Sequence, residues 1–240
     1  MLRLCLWLLC LGAPLAIARA EPIQLIYFRM PPVADEVDGK ATGPAVSLVQ
    51  DLTQGLDVDP DARLLPLKRL ELVMTTGKAI VIGIGRTPAR EKLGVTWVVE
   101  LFRDNYHFVT YTGHPAITSL DEARKAKSIA CNLGGAPAEW LLDHGFTNVE
   151  SATDIRSEAA KLHAGHVEAW FGIKIFIDHT WRGLGYDPAT LHWSPPIEVQ
   201  PIWVAASPQV DPAVIDTMRR RFADLKSRGR LDPLLARLGE

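Results

Sequence analysis

Apolar residues recur along the chain at intervals that alternate between those of strands and those of helices. Residues 44–54 carry apolar side chains at helical spacing, with Gly55 where a helix commonly ends. Residues 79–84 form a continuous apolar run, which is typical of a strand covered on both faces. The elements predicted for this half are strands at 24–29, 62–66 and 79–84, helices at 44–54 and 68–76, and a loop at 33–42. This βαβαβ order predicts a parallel sheet.

The same alternation returns in the second half of the chain. The elements predicted there are strands at 128–131, 149–151, 167–171 and 202–205 and helices at Ala136–Asp143 and 154–163. Asp211 and Asp232 each precede a proline, and a capping residue followed by proline is typical of a helix start. Two further helices are therefore predicted at Pro212–Ser227 and Pro233–Leu238. Two alternating units favour an α/β fold of two lobes, each a mostly parallel sheet flanked by helices.

The first twenty residues have the pattern of an export signal. Arg3 precedes the apolar run 4–11, and Ala20 and the alanine two positions before it provide the small residues that a signal peptidase requires. A membrane anchor is the alternative, but Gly12 and Pro14 interrupt the run, which is shorter than the roughly 20 apolar residues of a spanning helix. We therefore predict cleavage after Ala20 and a periplasmic location.

The charge of the chain makes some partners unfavourable. Its 26 basic and 28 acidic residues give a formal net charge of −2, which becomes more negative when Arg3 and Arg19 are removed with the predicted signal. Nucleic acid is therefore a poor partner, because binding to phosphates depends on a basic surface. The basic run at 219–221 lies in a predicted helix, and we interpret it as a solvated face.

The sequence offers little support for catalysis or metal binding. Cys131 is the one cysteine after residue 20, and we interpret it as a buried apolar residue rather than a catalytic thiol. His163 and His166 have a spacing found in metal sites, but Gly165 interrupts the helix between them. There is no Gly-x-Ser-x-Gly motif. We expect a protein that is not an enzyme and has no cofactor.

Several segments resemble the motifs of one family in their order and spacing. Residues 85–91, Gly-Arg-Thr-Pro-Ala-Arg-Glu, resemble a Thr-x-x-Arg segment, and residues 134–136, Gly-Gly-Ala, occupy the place of a glycine and hydroxyl loop. Residues 162–169 resemble a Leu-x-x-Gly-Arg-x-Asp-Ala turn. Weaker matches lie at 96–102, 118–123 and 224–231. Together they resemble the periplasmic solute-binding proteins of the polar amino-acid ABC transporter type, solute-binding family 3, which have the type II periplasmic binding protein fold.

The resemblance implies two lobes joined by a two-segment hinge, with a ligand captured between them. Lobe 1 would comprise residues 21–102 and 202–240, lobe 2 residues 106–199, and the hinge residues 103–105 and 200–201. The implied function is that of an exported, monomeric receptor. It would bind a small carboxylate-bearing ligand, an amino acid or a related organic acid, and deliver it to the membrane subunits of an ABC transporter.

Arg90 is the strongest candidate for ligand contact, because the matching arginine of the family holds the ligand's carboxylate with its planar fork of donors. Main-chain donors of Gly134, Gly135 and Ala136 would lie at a helix start, although simple turn chemistry is the alternative. Tyr27 would form an aromatic wall or pack between the lobes. The remaining candidates are Gly83, Gly85 and Thr87.

The chain departs from the family after residues 168–169, where typical amino-acid binders place an acidic residue for the ligand's ammonium group. This chain has Trp170 and, four residues later, Lys174. We therefore expect a ligand without an ammonium group, such as a keto acid or a dicarboxylate whose second end pairs with Lys174. The alternative is that Lys174 faces solvent and that Glu36, Asp38 or Asp178 receives an ammonium group.

Two other functions stay open on the same fold. Some relatives are dehydratases of cyclic carboxylates, so an enzyme is one alternative. A sensor module that reports its ligand to a membrane kinase is the other.

Overall fold

The computed structural model describes residues 21–238, so the predicted export signal at residues 1–20 lies outside the described part. The strands are β1 (Gln24–Tyr27), β2 (Asp35–Val37), β3 (Lys40–Thr42), β4 (Arg63–Leu64), β5 (Ala79–Gly85), β6 (Thr96–Tyr111), β7 (Ile129–Asn132), β8 (Val149–Ala152), β9 (Ala169–Ile173), β10 (Leu191–Trp193) and β11 (Val199–Ala206). The helices are α1 (Pro44–Thr53), α2 (Leu67–Thr76), α3 (Pro88–Glu91), α4 (Leu120–Lys125), α5 (Ala136–Asp143), α6 (Ile155–His163), α7 (Lys174–Gly183), α8 (Pro212–Ser227) and α9 (Pro233–Leu238).

One mixed sheet runs through the molecule in the order β4-β1-β5-β11-β6-β9-β7-β8, with β10 added beside β6. Strands β4, β1 and β5 are parallel and form the sheet of lobe 1. Strands β8, β7 and β9 are parallel and form the sheet of lobe 2. The predicted α/β fold with two lobes is confirmed.

Two antiparallel strands connect the lobes. Strand β6 pairs with β11 as far as Asn105, which lies opposite Val199, and from Tyr106 onward it pairs with β9. A single 16-residue strand therefore belongs to both sheets. The predicted hinges at 103–105 and 200–201 lie on this strand pair, and the lobe boundaries stay predictions.

Side-chain caps fix the start of two helices that border the cleft between the lobes. The Thr87 hydroxyl accepts a hydrogen bond from the Arg90 amide at 3.2 Å at the start of α3. The Asp154 carboxylate accepts one from the Ser157 amide at 2.9 Å at the start of α6. Each cap gives a partner to an amide that has none inside the helix. These caps position Arg90 and, one turn after Asp154, Glu158.

The predicted loop at residues 33–42 is wrong, because it contains the hairpin of β2 and β3. Its turn residues, Asp38 and Gly39, have φ of 51° and 73°. An Asp-Gly pair is a strong signal for such a two-residue turn, since both positions require left-handed backbone. The strands themselves gave no apolar alternation, because each has three residues and both carry charged side chains.

Apolar packing holds each lobe. Trp170 and Trp181 are fully buried in a cluster of lobe 2, and Leu70 and Met74 of α2 pack against β5 in lobe 1. Cys131 is completely buried on β7, and burial raises the pKa of its thiol to about 12. Within residues 21–238, no helix is both long and apolar enough to cross a membrane.

Candidate functional site

A partly open cavity of about 80 Å³ lies between the lobes. Its walls are mostly apolar and come from both sides of the cleft. Lobe 1 contributes Phe28, Met30, Ile84 and Ile202, and lobe 2 contributes Ile155, Trp170, Phe171, Phe176 and Ile177. Its polar side chains are Arg29, Arg90, Asn132 and Glu158. An apolar chamber with few polar groups is the usual form of a small-molecule site.

The Arg90 side chain lies at this boundary and is almost fully buried, with 2% of the residue exposed. Its Nε and Nη2 donate to Glu71 Oε1 at 3.2 and 3.0 Å. Its Nη1 donates to the Gly85 carbonyl at 3.0 Å, and Nη2 also donates to the Gly134 carbonyl at 3.1 Å. Arg90 therefore joins lobe 1, which supplies Glu71 and Gly85, to lobe 2, which supplies Gly134.

The charge of Arg90 is balanced by carboxylates from both lobes. Glu139 of α5 forms an ion pair with Arg90 Nη2 at 3.5 Å, in addition to the pair with Glu71 at 3.0 Å. Lys68 Nζ lies 3.6 Å from the second oxygen of Glu71. The buried Oε2 of Glu139 has no hydrogen-bond partner among the described residues. Two cations and two carboxylates thus form a charge-balanced cluster where the lobes meet, and Arg90 joins it to the cavity wall.

Three predicted glycines lie where backbones or side chains approach closely. A Cβ on Gly85 would lie 2.9 Å from the Cβ of Ala136 in the opposite lobe. A Cβ on Gly134, which has φ of 69°, would lie 2.7 Å from Lys68 Cε. Gly83, with φ of 74°, leaves the space that the Met30 methyl group occupies. The lobes therefore touch at Gly85 and Gly134, and the cleft is closed at these points.

The other predicted site residues have different surroundings. Gly135 and Ala136 line the cavity, but the Gly135 amide already donates to the Asn132 carbonyl at 2.9 Å. Thr87 is buried as the cap of α3. Tyr27 is fully buried in the core, where its hydroxyl donates to the Asp35 carbonyl at 3.2 Å.

Lys174 begins α7 and is exposed. Its Nζ lies 4.3 Å from the centre of the Trp193 ring, and the residue is absent from the lining of the cavity and of the groove beside it. Each of the nine predicted ligand contacts stays a prediction. The structure brings Arg90, Gly85, Gly135 and Ala136 to the cavity wall and places Lys174 elsewhere.

Glu158, like Asn132, is a polar residue of the cavity wall that the sequence analysis missed. It lies on α6 with 3% of the residue exposed, and its Oε2 accepts a hydrogen bond from the indole Nε1 of Trp170. Its Oε1 is buried and has no partner within the described chain. Burial raises the pKa of this carboxyl to about 8. At neutral pH the group is therefore predominantly a neutral carboxylic acid.

A wider groove of about 890 Å³ lies beside the cavity. The two share Phe28, Arg29, Leu67, Asn132 and Ile155 in their walls. The groove is more polar and carries both signs of charge, from Asp35, Glu36, Lys68, Asp154 and Arg156.

The histidine pair does not form a metal site. Both His163 and His166 are exposed, and the His163 ring stacks on Tyr186 with centroids 3.9 Å apart. Among residues 21–238 there is no group of three or more His, Cys, Asp or Glu side chains arranged to hold a metal ion.

Solved structures with a similar fold include periplasmic binding proteins and a related sensor domain. A histidine kinase sensor domain with similarity to periplasmic binding proteins has a TM-score of 0.78 at 16% identity, covering 92% of this chain and 97% of that one. A mutant of ArgBP from T. maritima has a TM-score of 0.74 at 16% identity, covering 90% and 95%. An ABC uptake transporter substrate binding protein from Streptococcus pneumoniae with bound histidine has a TM-score of 0.72 at 14% identity, covering 86% and 88%.

No protein-family model and no curated protein matches the sequence. Similarity at these low identities establishes the fold, and it extends over both lobes of the chain. The chain therefore has the two-lobed fold of the type II periplasmic binding proteins.

Proposed function

We propose that this chain is an exported receptor that captures a small carboxylate-bearing ligand between its lobes and delivers it to the membrane subunits of an ABC-type importer. The observation that carries the proposal is the cavity whose walls come from both lobes. A ligand enclosed there would contact both lobes at once. It would therefore bind the closed arrangement more tightly than an open one, which is the requirement for ligand-driven closure.

Arg90 has a specific role in this proposal. Its partners Glu71 and Gly85 belong to its own lobe, whereas Glu139 and the Gly134 carbonyl belong to the other. Separation of the lobes would remove the contacts with Glu139 and the Gly134 carbonyl, so that Arg90 Nη2 would lose two of its partners. A ligand carboxylate would then occupy the place of the Glu139 carboxylate, and Glu71 would keep the guanidinium oriented.

Binding without turnover is the simplest chemistry for this chamber. Among the described residues that line it there is no serine, threonine, cysteine, histidine or lysine, the side chains that most often supply a nucleophile or a general base. The one carboxyl in the lining, Glu158, has no second carboxyl beside it in the chamber. We infer a receptor rather than a dehydratase.

The test is a thermal-shift screen of the mature protein against keto acids, hydroxy acids, dicarboxylates and amino acids. Each compound that raises the melting temperature is then incubated with the protein and analysed by mass spectrometry. A bound and chemically unchanged carboxylate is the expected result. Conversion to a product would show that the protein is an enzyme rather than a receptor. The absence of any carboxylate among the hits would contradict the proposal that the ligand bears a carboxylate.

A sensor for a membrane kinase is the second candidate. It is favoured by the similarity of the fold to a histidine kinase sensor domain over 97% of that domain. Deletion of the gene separates the two roles once a ligand is identified. Loss of uptake of the radiolabelled ligand supports the importer, and unchanged uptake with a lost transcriptional response supports the sensor.

A further inference from the structure

Glu158 presents an unusual combination of burial and incomplete hydrogen bonding. It lies on α6 in the wall of the interlobe cavity, with 3% of the residue exposed. The indole of Trp170 on β9 donates to Oε2, and the indole nitrogen can act only as a donor. Oε1 has no partner within residues 21–238. A buried polar atom without a partner costs free energy. Because Glu158 belongs to the cavity wall, its unpaired oxygen points to a ligand that supplies the missing hydrogen bond.

The surroundings of Glu158 do not supply a counterion. On its own helix, Asp154 opposes ionisation and Lys161 favours it weakly. The Lys161 ammonium is engaged with Glu150 at 2.6 Å and the Ser151 carbonyl at 3.3 Å. On β7 the nearby group is the Cys131 thiol, whose pKa is raised mainly by burial and also by Glu158.

The remaining elements around the cavity also leave the carboxyl without an available cation. From α7 the cavity wall receives Phe176 and Ile177, which are apolar. Its two cations are Arg29, which is paired with Asp35 at 2.9 Å, and Arg90 of α3. Arg90 is already paired with Glu71 and Glu139. Burying an unpaired carboxylate in such a site is costly, so the carboxyl holds its proton, in agreement with its raised pKa.

We propose that Glu158 is a specificity-determining residue of the cavity, and that as a carboxylic acid it donates the Oε1 hydrogen to an acceptor oxygen of a small 2-oxo or 2-hydroxy acid. The proposal rests on the proposed function, since it assumes that the ligand's carboxylate lies at Arg90. Glu158 would then bind the part of the ligand that lies away from that carboxylate.

An acceptor oxygen fits this chamber better than an ammonium group. An ammonium would require Glu158 to lose its proton and would place two ions in an apolar enclosure, where both lose their hydration. A neutral acid and a carbonyl or hydroxyl oxygen form a hydrogen bond without that cost.

The size of the cavity limits how much of a ligand lies inside it. Its volume of about 80 Å³ is roughly half that of a 150 Å³ cavity known to accept benzene. A three-carbon acid is small enough to lie within this space, so it is a suitable probe of the Glu158 contact.

The experiment uses three acids of equal size, pyruvate, L-lactate and L-alanine, with the mature protein in a calorimeter. Pyruvate and L-lactate are expected to bind at least tenfold more tightly than L-alanine. Their affinity should stay constant below about pH 7 and fall by about tenfold per pH unit above the Glu158 pKa of about 8, because the ionised group cannot donate.

Two substitutions test the role of the donor. Glu158→Gln keeps an N–H donor, so it should retain pyruvate binding within a few-fold and remove the dependence on pH. Glu158→Leu removes the donor and should weaken pyruvate binding at least tenfold. Asp121→Asn is the matched control, since it removes a carboxylate of the same lobe whose side chain is 85% exposed. It should leave both affinity and pH dependence unchanged.

An infrared difference spectrum of the wild type and Glu158→Gln without ligand gives an independent readout. The carbonyl band of a protonated carboxyl is expected at pH 7 in the wild type alone. Absence of that band overturns the inference.

The binding results separate this inference from the proposed function. If L-alanine binds more tightly than pyruvate, or if pyruvate affinity rises through pH 8, the inference about Glu158 is overturned. Either result leaves the proposed receptor function unaffected. Failure of all three acids also overturns the inference, and the wider screen then decides the function.

Discussion

The two polar ends of the interlobe cavity differ in how completely their groups are paired. At Arg90 the guanidinium has partners in both lobes, including two carboxylates and two carbonyls. At Glu158 one carboxyl oxygen has a single indole donor and the other has none. At the first end one oxygen of Glu139 is also buried without a partner, but the guanidinium itself is fully paired. The two ends therefore offer a ligand different chemistry, a cation that already joins the lobes at Arg90 and an incompletely paired carboxyl at Glu158.

The largest effect on stability is expected from removing the Arg90 cation. Arg90→Met leaves the Glu71 and Glu139 carboxylates without their cation at a buried position. The free energy of unfolding should fall by on the order of 3–5 kcal/mol, as for one member of a buried ion pair. Urea denaturation followed by circular dichroism measures it. Adding Glu71→Gln to Arg90→Met should recover part of the loss, and a further loss would contradict the pairing.

The unpaired end should appear in the pH dependence of stability. The Glu158 carboxyl has an ordinary pKa of 4.5 when unfolded and a pKa of about 8 in the folded protein because of burial. Between these values the folded protein holds a proton that the unfolded chain releases. Stability from this group is fully present below pH 4.5 and falls as pH rises, by up to about 1.4 kcal/mol per pH unit, until about pH 8.

Glu158→Gln isolates this contribution, because it removes the titrating group and keeps the shape. Denaturation curves of the two proteins from pH 5 to pH 9 should converge at the acid end if the wild type gains a proton as described. Parallel curves across the whole range would show that Glu158 is ionised in both states.

A smaller effect tests the contact between the lobes at the paired end. Gly134→Ala must accept φ of 69° and a Cβ 2.7 Å from Lys68 Cε. Gly145→Ala has a similar φ of 75° and nothing within 4 Å, so it measures the backbone cost alone. Each substitution is expected to lower the free energy of unfolding by about 1 kcal/mol, because alanine is strained at a positive φ. Gly134→Ala should lose more and should also enlarge the radius of gyration in solution scattering, whereas equal losses would argue against a closed cleft.

The smallest effect is expected at Lys174. Its contact with the Trp193 ring is exposed, so Lys174→Ala should change the free energy of unfolding by about 0.5 kcal/mol. Because Lys174 lies outside the cavity wall, ligand affinity should stay within twofold. A tenfold loss in affinity would restore the sequence-based expectation that this lysine binds the ligand's second end.

Much of the fold could be predicted from the spacing of apolar residues. Helices α5, α8 and α9 begin and end as predicted, because each has a proline near its start and a clear apolar stripe or cap. The second half of β6 and all of β10 were missed. Val109 pairs with Trp193, for example, about 80 positions further along the chain. The local spacing of apolar residues does not indicate such distant partners.

The candidate site was only partly predictable, and Glu158 shows why. Ile155, Ala159 and Leu162 form the apolar stripe of α6, and Glu158 interrupts that stripe at the i+3 position. A carboxyl on the apolar face of a helix was the available signal, since such a group is rarely buried without a reason. The family resemblance led to Arg90 instead, which does lie at the cavity wall.

The basic run at 219–221 is largely exposed, in agreement with its interpretation as a solvated face, but two of its side chains also bind other elements. Arg221 donates to the carbonyls of Leu52 and Gln54 at the end of α1. Arg219 donates to the carbonyls of Trp97 and Val98 on β6. Composition predicted the exposure of these side chains but could not predict that carbonyls of other elements would lie within their reach.

The position of β11 has a consequence for the aggregation of incomplete chains. This strand lies between β5 and β6 in the sheet, although more than 110 residues separate it in sequence from the start of β5. Without β11, strand β5 and the first half of β6 would each have an unpaired edge. A chain truncated before residue 199 would expose these edges to other chains, so the last strand of the sequence is also the one that protects the sheet from aggregation.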